Sequence, residues 1–278
     1  MKPVKYMEFK FICTDEFKEI LIAELNDMDF DSMMETEEGL DAYQLINDFD
    51  KKVLDDLIIR YPDAQITYST SEFENKNWNE EWEKNYDPII VEDKCLVRAT
   101  FHKDLGDFEY EIVITPKMSF GTGHHSTTYL MLKNQMQIDH GGKRVLDAGC
   151  GTAILAIMAE KLGAKEIVAY DIDDWSIENA PENVELNNCK NITVLGGTIN
   201  TIELKGEFDI ILANINKNVL LEEMKEYAQV LYDKGLLILS GFYVTDDKDI
   251  IEKAAEFGLK HQSSSNKNDW SSLIFVKN

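Results

Sequence analysis

The chain lacks the features of a disulfide-bonded, metal-bearing or membrane-spanning protein. Its 278 residues include four cysteines, and Cys13, Cys95, Cys150 and Cys189 show no metal-ligand spacing. We therefore expect free thiols and no metal. No apolar run approaches the roughly 20 residues of a membrane span, and the first residues lack the apolar core of a secretion signal. These absences predict a cytoplasmic protein that does not enter a membrane.

Positive charge is also scarce. The chain has 28 Lys and Arg residues against 52 Asp and Glu residues, which gives a formal net charge of −24. A surface this acidic repels nucleic acid and anionic lipid, so we expect no direct nucleic-acid partner and no membrane partner. It would attract a basic protein, although generic solubility accounts for the same charge.

The first seventy residues alternate between strand and helix patterns in the order βαββαβ. The strand patterns lie at 6–14, 30–36, 40–46 and 66–71. This order is that of a ferredoxin-like sandwich. We therefore expect a small ferredoxin-like α+β domain at 1–71 and a helical linker at 72–88, with Trp78 and Trp82 on one helix face.

The remainder of the chain reads as an α/β domain at 89–278. From Lys143 onward, strands are expected at 144–148, 166–171, 191–195, 208–213 and 235–240, and helices at 153–162, 174–187, 217–231 and 246–257. Two last strands, at 259–265 and 271–277, have no helix between them. Parallel crossover units closed by a terminal antiparallel hairpin are typical of the seven-stranded Rossmann-like methyltransferase sheet.

One segment of this domain has the pattern of a nucleoside-binding turn. Asp147, Gly149 and Gly151 join a predicted strand to a predicted helix, and Asp171 ends the next strand, twenty residues after Gly151. In such units the glycines allow close backbone approach and the acid binds ribose hydroxyls. The dinucleotide fingerprint has Gly or Ala at its sixth position, where this chain has Ile154. The turn therefore disfavours a nicotinamide dinucleotide.

The acidic residues indicate a cationic cofactor. Asp147 would repel a pyrophosphate at close range, whereas S-adenosylmethionine carries a sulfonium, an ammonium and a ribose that suit Asp147 and Asp171. Asn214 follows a predicted strand at the same sheet edge, where its amide could accept a hydrogen bond from an attacking amine. Its position equally allows it to cap the helix that begins near Lys217.

A second polar segment precedes the turn in the chain. The backbone of Gly121-Thr122-Gly123 could bind a ligand through N–H groups, and Thr127 or Thr128 could donate a hydroxyl. The adjacent His124 and His125 rarely bind one ion together without further ligands, so they do not change the expectation of no metal. The sequence has no Gly-x-Ser-x-Gly elbow, which disfavours a nucleophilic serine.

Together, residues 120–128, 145–152 and 213–215 resemble the ribosomal protein L11 methyltransferase family (PrmA-type). The resemblance covers essentially the whole chain. It implies a class I S-adenosylmethionine-dependent N-methyltransferase that modifies lysine side chains and the N-terminal amine of a basic large-subunit ribosomal protein. It also implies that the ferredoxin-like domain recognises that substrate. We expect the protein to be a monomer.

The resemblance implies roles for individual residues. Thr122 and Asn214 would lie beside the reactive methyl group as the catalytic pair. The cofactor-binding set would comprise Thr122, Thr128, Asp147, Gly149, Gly151, Asp171 and Asn214, with Asp171 at the ribose and Asp147 and the glycines along the methionine part.

Two residues depart from the family pattern, which usually has Gly at Ala153 and an apolar residue at Asn216. We expect Ala153 to preserve a small helix start and hence cofactor binding, whereas Asn216 could alter amine specificity. Three alternatives stay open: a methyltransferase for another protein or a small amine, a non-catalytic binding protein for a basic partner, and an NAD-dependent enzyme. Ile154 and the terminal hairpin disfavour the last.

Overall fold

The computed structural model divides the chain into two units, 1–86 and 87–278, each treated by itself. The described residues are 5–14, 17–26, 28, 30, 32–36, 39–45, 51–74, 87–102, 105–115, 121, 123 and 125–278. Four residues that the sequence analysis singled out lie outside this set: Trp78, Trp82, Thr122 and His124.

The first unit is a sheet with helices in the predicted order. Its elements are β1 (Lys5–Ile12), α1 (Lys18–Asn26), β2 (Ser32–Glu35), β3 (Gly39–Leu45), α2 (Lys51–Arg60) and β4 (Thr67–Glu74). In the described part of the unit, the sheet order is β2-β3-β1-β4 and the neighbouring strands are antiparallel. This arrangement confirms the ferredoxin-like domain.

Alternation along β1 explains how this unit forms a core. Phe9 and Phe11 are 0% and 2% exposed, because residues two apart on a strand face the same side. They pack with Leu21 and Leu25 of α1 and Leu57 of α2 in one buried cluster.

The last strand of the unit is longer than the sequence suggests. We expected it to end at residue 71, but β4 continues to Glu74 because its backbone pairs with β1 as far as Lys5. Residues 72–74 therefore belong to the sheet rather than to the predicted helical linker. The part of that linker at 75–86 lies outside the described residues.

The second unit begins with a small sheet of three strands and continues with regular βα units. Its elements are β5 (Ile89–Val91), β6 (Cys95–Ala99), β7 (Tyr110–Ile114), α3 (Ser126–Gln135), β8 (Arg144–Ala148), α4 (Ile154–Lys161), β9 (Glu166–Asp171), α5 (Asp174–Leu186), β10 (Ile192–Gly196), β11 (Phe208–Asn214), α6 (Lys217–Val230), β12 (Leu231–Tyr243), α7 (Asp247–Ala255), β13 (Leu259–Lys267) and β14 (Trp270–Lys277). The small sheet has the order β5-β6-β7.

The large sheet has the order β10-β9-β8-β11-β12-β14-β13. From β10 to β12 the neighbours are parallel, and β14 is antiparallel to both β12 and β13. The seven strands and the terminal antiparallel hairpin are therefore confirmed. After β8 the chain adds β9 and β10 on one side of β8, and it later adds β11 and β12 on the other side. The strand order therefore reverses between β8 and β11. Ligands of open parallel sheets bind at such a reversal, beyond the carboxyl ends of the strands.

Helices cover both faces of the large sheet. Along β11, Ile210 and Leu212 join the buried cluster that includes α4, whereas Ile211 and Ala213 join the cluster that includes α6. A strand buried on both faces needs apolar residues without alternation, which explains the continuous apolar run of β11. Within the described residues, no helix is long and apolar enough to cross a membrane.

Candidate active site

The turn after β8 depends on glycine. Gly149 and Gly151 have φ values of +64° and +53°, in the left-handed region that glycine occupies at little cost. A Cβ on Gly149 would also lie 2.3 Å from Cγ2 of Ile215. The turn therefore brings its backbone against the segment that follows β11, at the reversal point of the sheet.

Ile215 is enclosed from two sides. A Cβ on Gly241, two residues before the end of β12, would lie 2.1 Å from the backbone oxygen of Ile215 and 2.9 Å from its nitrogen. Gly149 approaches the side chain of Ile215 and Gly241 approaches its backbone. This close packing positions Asn214, the preceding residue.

Asp171 connects the end of β9 to the glycine turn. Its Oδ2 accepts a hydrogen bond of 2.8 Å from the backbone N–H of Gly151, and its Oδ1 accepts one of 3.0 Å from Asp173. The carboxylate is thereby oriented beside the turn, where the sequence places a ribose-binding acid.

Asp147 lies in the interior of the protein. The residue is 0% exposed, and its Oδ2 accepts a hydrogen bond of 3.0 Å from the backbone N–H of Ala156 in α4. Its Oδ1 is buried and has no hydrogen-bond partner among the described residues. The pKa of Asp147 is raised to about 7, mainly by burial and to a smaller extent by the charge of Asp171, although the hydrogen bond from the Ala156 N–H opposes the rise. A cation placed nearby would favour the ionised carboxylate.

Ala153 ends the turn in a strained conformation. It has φ 63° and ψ 19°, in the left-handed region, and α4 begins at the next residue. The predicted helix start at 153 is therefore one residue early. A left-handed conformation costs a residue with a Cβ about 1–2 kcal/mol, so glycine would fit this position without strain.

Asn214 lies at the carboxyl end of β11 with one half of its amide unsatisfied. Its Nδ2 donates to Oγ1 of Thr128 across 3.5 Å. Its Oδ1 is buried and has no hydrogen-bond partner among the described residues. Such a buried acceptor costs free energy unless a ligand or water satisfies it. The amide oxygen can therefore accept a hydrogen bond from a substrate N–H.

The helix cap that Asn214 could have formed belongs to Asn216. The side chain of Asn216 accepts a hydrogen bond of 3.2 Å from the backbone N–H of Val219 in α6. Asn216 is exposed at this position. Its polar side chain thus has a structural explanation, and Asn214 is left for another role.

The segment before α3 contacts the glycine turn. Oγ1 of Thr152 donates a hydrogen bond of 2.6 Å to the backbone oxygen of Gly121. Thr128, in the first turn of α3, is fully buried. His125 caps α3, since its Nδ1 accepts from the backbone N–H of Thr127. One histidine of the adjacent pair therefore has a capping role.

The structure brings most of the predicted site residues to one edge of the sheet: Thr128, Asp147, Gly149, Gly151, Asp171 and Asn214. Sequence reasoning missed Thr152 and Asn183, which connect separate parts of this edge. Thr152 stands within the turn motif, and its small hydroxyl side chain beside two glycines was the available signal. Asn183 had no comparable signal, because its partners are distant in sequence.

The residues present fit S-adenosylmethionine. Two buried oxygens have no hydrogen-bond partner in the described part of the chain, Oδ1 of Asp147 and Oδ1 of Asn214. They lie within the last two residues of the neighbouring parallel strands β8 and β11. Gly149 and Gly151 contribute no side chains to the turn, and Asp171, at the end of the next strand, accepts the N–H of Gly151. This fold and site define a class I S-adenosylmethionine-dependent methyltransferase.

Comparison with known proteins defines the family more closely. The family described as ribosomal protein L11 methyltransferase (PrmA) matches residues 7–278, and the chain belongs to this family. A ribosomal protein L11 methyltransferase of Phocaeicola vulgatus is 41% identical over 279 residues, covering 98% of this chain and 99% of the relative. One from Bacteroides fragilis is 42% identical, with 98% and 100% covered.

A solved structure is similar over most of the chain. The crystal structure of ribosomal protein L11 methylase from Lactobacillus delbrueckii subsp. bulgaricus has a TM-score of 0.64 and 28% sequence identity to this chain. The match covers 69% of this chain and 100% of the other.

Proposed function

We propose that this protein transfers methyl groups from S-adenosylmethionine to amino groups of ribosomal protein L11, on lysine side chains and on the N-terminal amine. Family membership supports the class of substrate. The single observation that carries the chemistry is the buried, unpartnered Oδ1 of Asn214 at the carboxyl end of β11.

The reaction needs a neutral amine in a defined orientation. At pH 7, a lysine of pKa about 10.4 costs roughly 4–5 kcal/mol to deprotonate, whereas an N-terminal amine near 8 costs about 1 kcal/mol. When bound, the cofactor supplies a methyl group that its sulfonium activates. Oδ1 of Asn214 accepts an N–H from the neutral amine and so directs the nitrogen lone pair toward that methyl group. Water takes the released proton.

The remaining site residues bind the cofactor and orient the amide of Asn214. The Asp171 carboxylate binds ribose hydroxyls, and the backbone at Gly149 and Gly151 contacts the methionine part. The carboxylate of Asp147 balances the cofactor's positive charge. Thr128 holds the Nδ2 of Asn214 and thereby leaves Oδ1 for the substrate, since the two ends of the amide are chemically distinct. Thr122 is the second residue proposed beside the reactive methyl group, on the strength of its motif alone.

The two units have separate roles in this proposal. The ferredoxin-like domain, which extends to Glu74 at the end of β4, recognises the basic ribosomal protein, residues 75–88 link the domains, and residues 89–278 carry the chemistry. The net charge of −24 favours a basic protein partner and disfavours direct contact with nucleic acid. We further propose that the protein works in the cytoplasm as a monomer.

The test is methylation of purified L11. The protein is incubated with S-adenosylmethionine and L11, and intact-mass spectrometry follows increments of one methylene group each. Peptide mapping then assigns them to lysines or to the N-terminal amine. The proposal requires these increments to form about 10²-fold more slowly with Asn214→Ala.

A second arm exposes the whole set of ribosomal proteins to the enzyme. Increments confined to another protein, with L11 unmodified, would favour the alternative of a different protein substrate. Cofactor binding without any methylation would favour the non-catalytic alternative.

A further inference from the structure

Asn183 connects two parts of the active-site region that are far apart in the chain. The residue lies on α5 and is 0% exposed. Its Oδ1 accepts a hydrogen bond of 2.8 Å from the backbone N–H of Thr115, which follows β7. Its Nδ2 donates to the backbone oxygen of Thr152 in the glycine turn across 3.1 Å, and to Oδ1 of Asn179 across 3.3 Å. All its polar groups are therefore satisfied.

Thr152 extends this connection to the second polar segment. While its backbone oxygen accepts from Asn183, its hydroxyl donates to the backbone oxygen of Gly121 across 2.6 Å. A Cβ on Gly121 would lie 2.7 Å from that hydroxyl oxygen, so glycine is needed for this approach. Thr115 and Gly121 are six residues apart in sequence. Thr115 is hydrogen-bonded to α5 and Gly121 to the glycine turn, and the Asn183–Thr152 hydrogen bond joins these two elements.

Gly123 packs closely against the small sheet. It has a φ of +95°, and a Cβ there would lie 2.9 Å from Cδ1 of Ile89 and 3.2 Å from Cγ1 of Val97. Its backbone therefore approaches the small sheet closely. Gly121 and Gly123 are both positioned by contacts with described residues, and Thr122 stands between them in the sequence.

Burial gives these contacts a defined geometry. Thr152 and Asn183 are both 0% exposed, so water cannot readily replace a lost partner. Removing the Thr152 hydroxyl would leave the Gly121 oxygen without this donor, and removing the Asn183 amide would affect Thr115 and Thr152 together. A buried polar group left without its partner costs free energy, so we expect the Gly121 backbone to shift in such a variant.

We propose that Asn183 and Thr152 are positioning residues for methyl transfer. They hold Gly121 against the glycine turn and so position the backbone of the second polar segment at the edge of the sheet where Asn214 lies. Neither residue touches the reacting atoms, and both act through the segment. The inference rests on the proposed function, which places methyl transfer at this edge of the sheet.

The chain offers matched variants for the test. Thr152→Val removes the hydroxyl at nearly constant volume, and Thr152→Ser keeps it. Asn183→Ala has a control in Asn187→Ala. Asn187, directly after α5, also bonds to the β7 backbone through both the N–H and the oxygen of Val113. No hydrogen bond of Asn187 to the glycine turn is found among the described residues.

Three quantities are measured for each variant: kcat with saturating L11, the Kd of S-adenosylmethionine by calorimetry, and hydrogen–deuterium exchange of peptides that cover Gly121–Thr128. We expect Thr152→Val and Asn183→Ala to lower kcat at least tenfold and to speed exchange in these peptides. The Kd should stay within about threefold, because a displacement of the order of 1 Å costs turnover rather than the remaining binding contacts. Thr152→Ser and Asn187→Ala should keep kcat within twofold.

Other results overturn the inference. Unchanged kcat and unchanged exchange in Thr152→Val would do so, even if Asn183→Ala failed to fold. An equal loss of kcat in Asn187→Ala at equal thermal stability would reduce Asn183 to a structural residue. If the unmodified protein binds the cofactor but does not methylate L11, the proposed function fails, and the exchange data alone decide whether the segment is held as described.

Discussion

The carboxylate of Asp147 and the backbone N–H of Ala156 are joined by a hydrogen bond of 3.0 Å inside the protein. The bond ties the end of β8 to the first turn of α4 and leaves the other carboxylate oxygen buried without a partner among the described residues. A buried carboxyl group with one unpartnered oxygen resists ionisation. The pH dependence of the protein's stability should therefore reveal the raised pKa of Asp147.

In the absence of cofactor, the contribution of Asp147 to stability should fall as pH rises from about 4 to about 7. Burial raises the pKa of Asp147 to about 7 in the folded protein, against about 3.9 in an unfolded chain. The contribution of Asp147 to the free energy of unfolding is therefore fully present below about pH 4, and it is lost as pH rises through the pKa of the folded state. Asp147→Asn should remove this dependence. The free energy of unfolding of the variant, relative to that of the wild type, should therefore increase between about pH 5 and pH 8. Urea unfolding across this range measures the difference; parallel curves for the two proteins would contradict it.

Asn214→Ala should lower kcat by about 10²-fold, because the amine loses its orienting acceptor. Cofactor affinity should change little, since Asp171 and the glycine turn remain. Steady-state methylation of L11 and calorimetry separate the two effects. Asn216→Ala is the nearby comparison: it removes the cap of α6, should cost about 1 kcal/mol of stability, and should leave turnover intact. Equal turnover in both variants would remove Asn214 from the mechanism.

Asp171→Ala should have the reverse effect. The variant loses the proposed ribose contact and the hydrogen bond to Gly151, so the Kd of S-adenosylmethionine should rise at least tenfold. Turnover at saturating cofactor should fall much less. Calorimetry is the deciding measurement, and wild-type affinity in the variant would contradict the ribose role.

Ala153→Gly and Ala159→Gly make the same chemical change with different expected outcomes. At Ala153, relief of the left-handed Cβ, about 1–2 kcal/mol, offsets the lost methyl packing and the added freedom of the unfolded chain. Ala159 lies within α4 and is buried, so glycine there only loses packing and helix propensity, about 1 kcal/mol or more. Chemical unfolding should therefore show Ala153→Gly near wild type and Ala159→Gly clearly weaker. Equal losses would disprove strain at Ala153.

Association with L11 should slow as salt rises. The net charge of −24 favours encounter with a basic protein, and salt screens this attraction over about 10 Å at 0.1 M. The kcat/KM for L11 should fall severalfold between about 0.05 M and 0.5 M NaCl, while the Kd of the cofactor changes less. A salt-independent kcat/KM would reject electrostatic steering.

The sequence predicted the large sheet well because parallel strands buried on both faces must be apolar runs, as in β11. It also located the turn around Gly149 and Gly151, whose conformations depend on residue type. It placed the end of β4 early, since backbone pairing with β1 is a tertiary effect. Asn216 rather than Asn214 caps α6, a choice that depends on where the strand ends.

Contacts between distant segments could not be predicted in the same way. The hydrogen bond from Thr152 to Gly121 spans 31 residues, and that from Thr115 to Asn183 spans 68. Neither hydrogen bond is indicated by the neighbouring sequence, because a helical asparagine has the same sequence context whether it faces water or a buried carbonyl group. Such links exist only once the sheet has brought its edges together.

The packing of Ile215 between Gly149 and Gly241 has a consequence for how the family can vary. A methyl group added at either glycine would push against the residue next to Asn214, and would move the amide without altering any group that meets substrate. Substitutions at 149 and 215 should therefore be coupled. A larger residue at 149 becomes tolerable only with a smaller one at 215, whereas a larger residue at 241 would meet the backbone of Ile215, which no side-chain change there removes. An evolutionary path toward a different acceptor could therefore vary 149 and 215 in concert but would have to keep the glycine at 241.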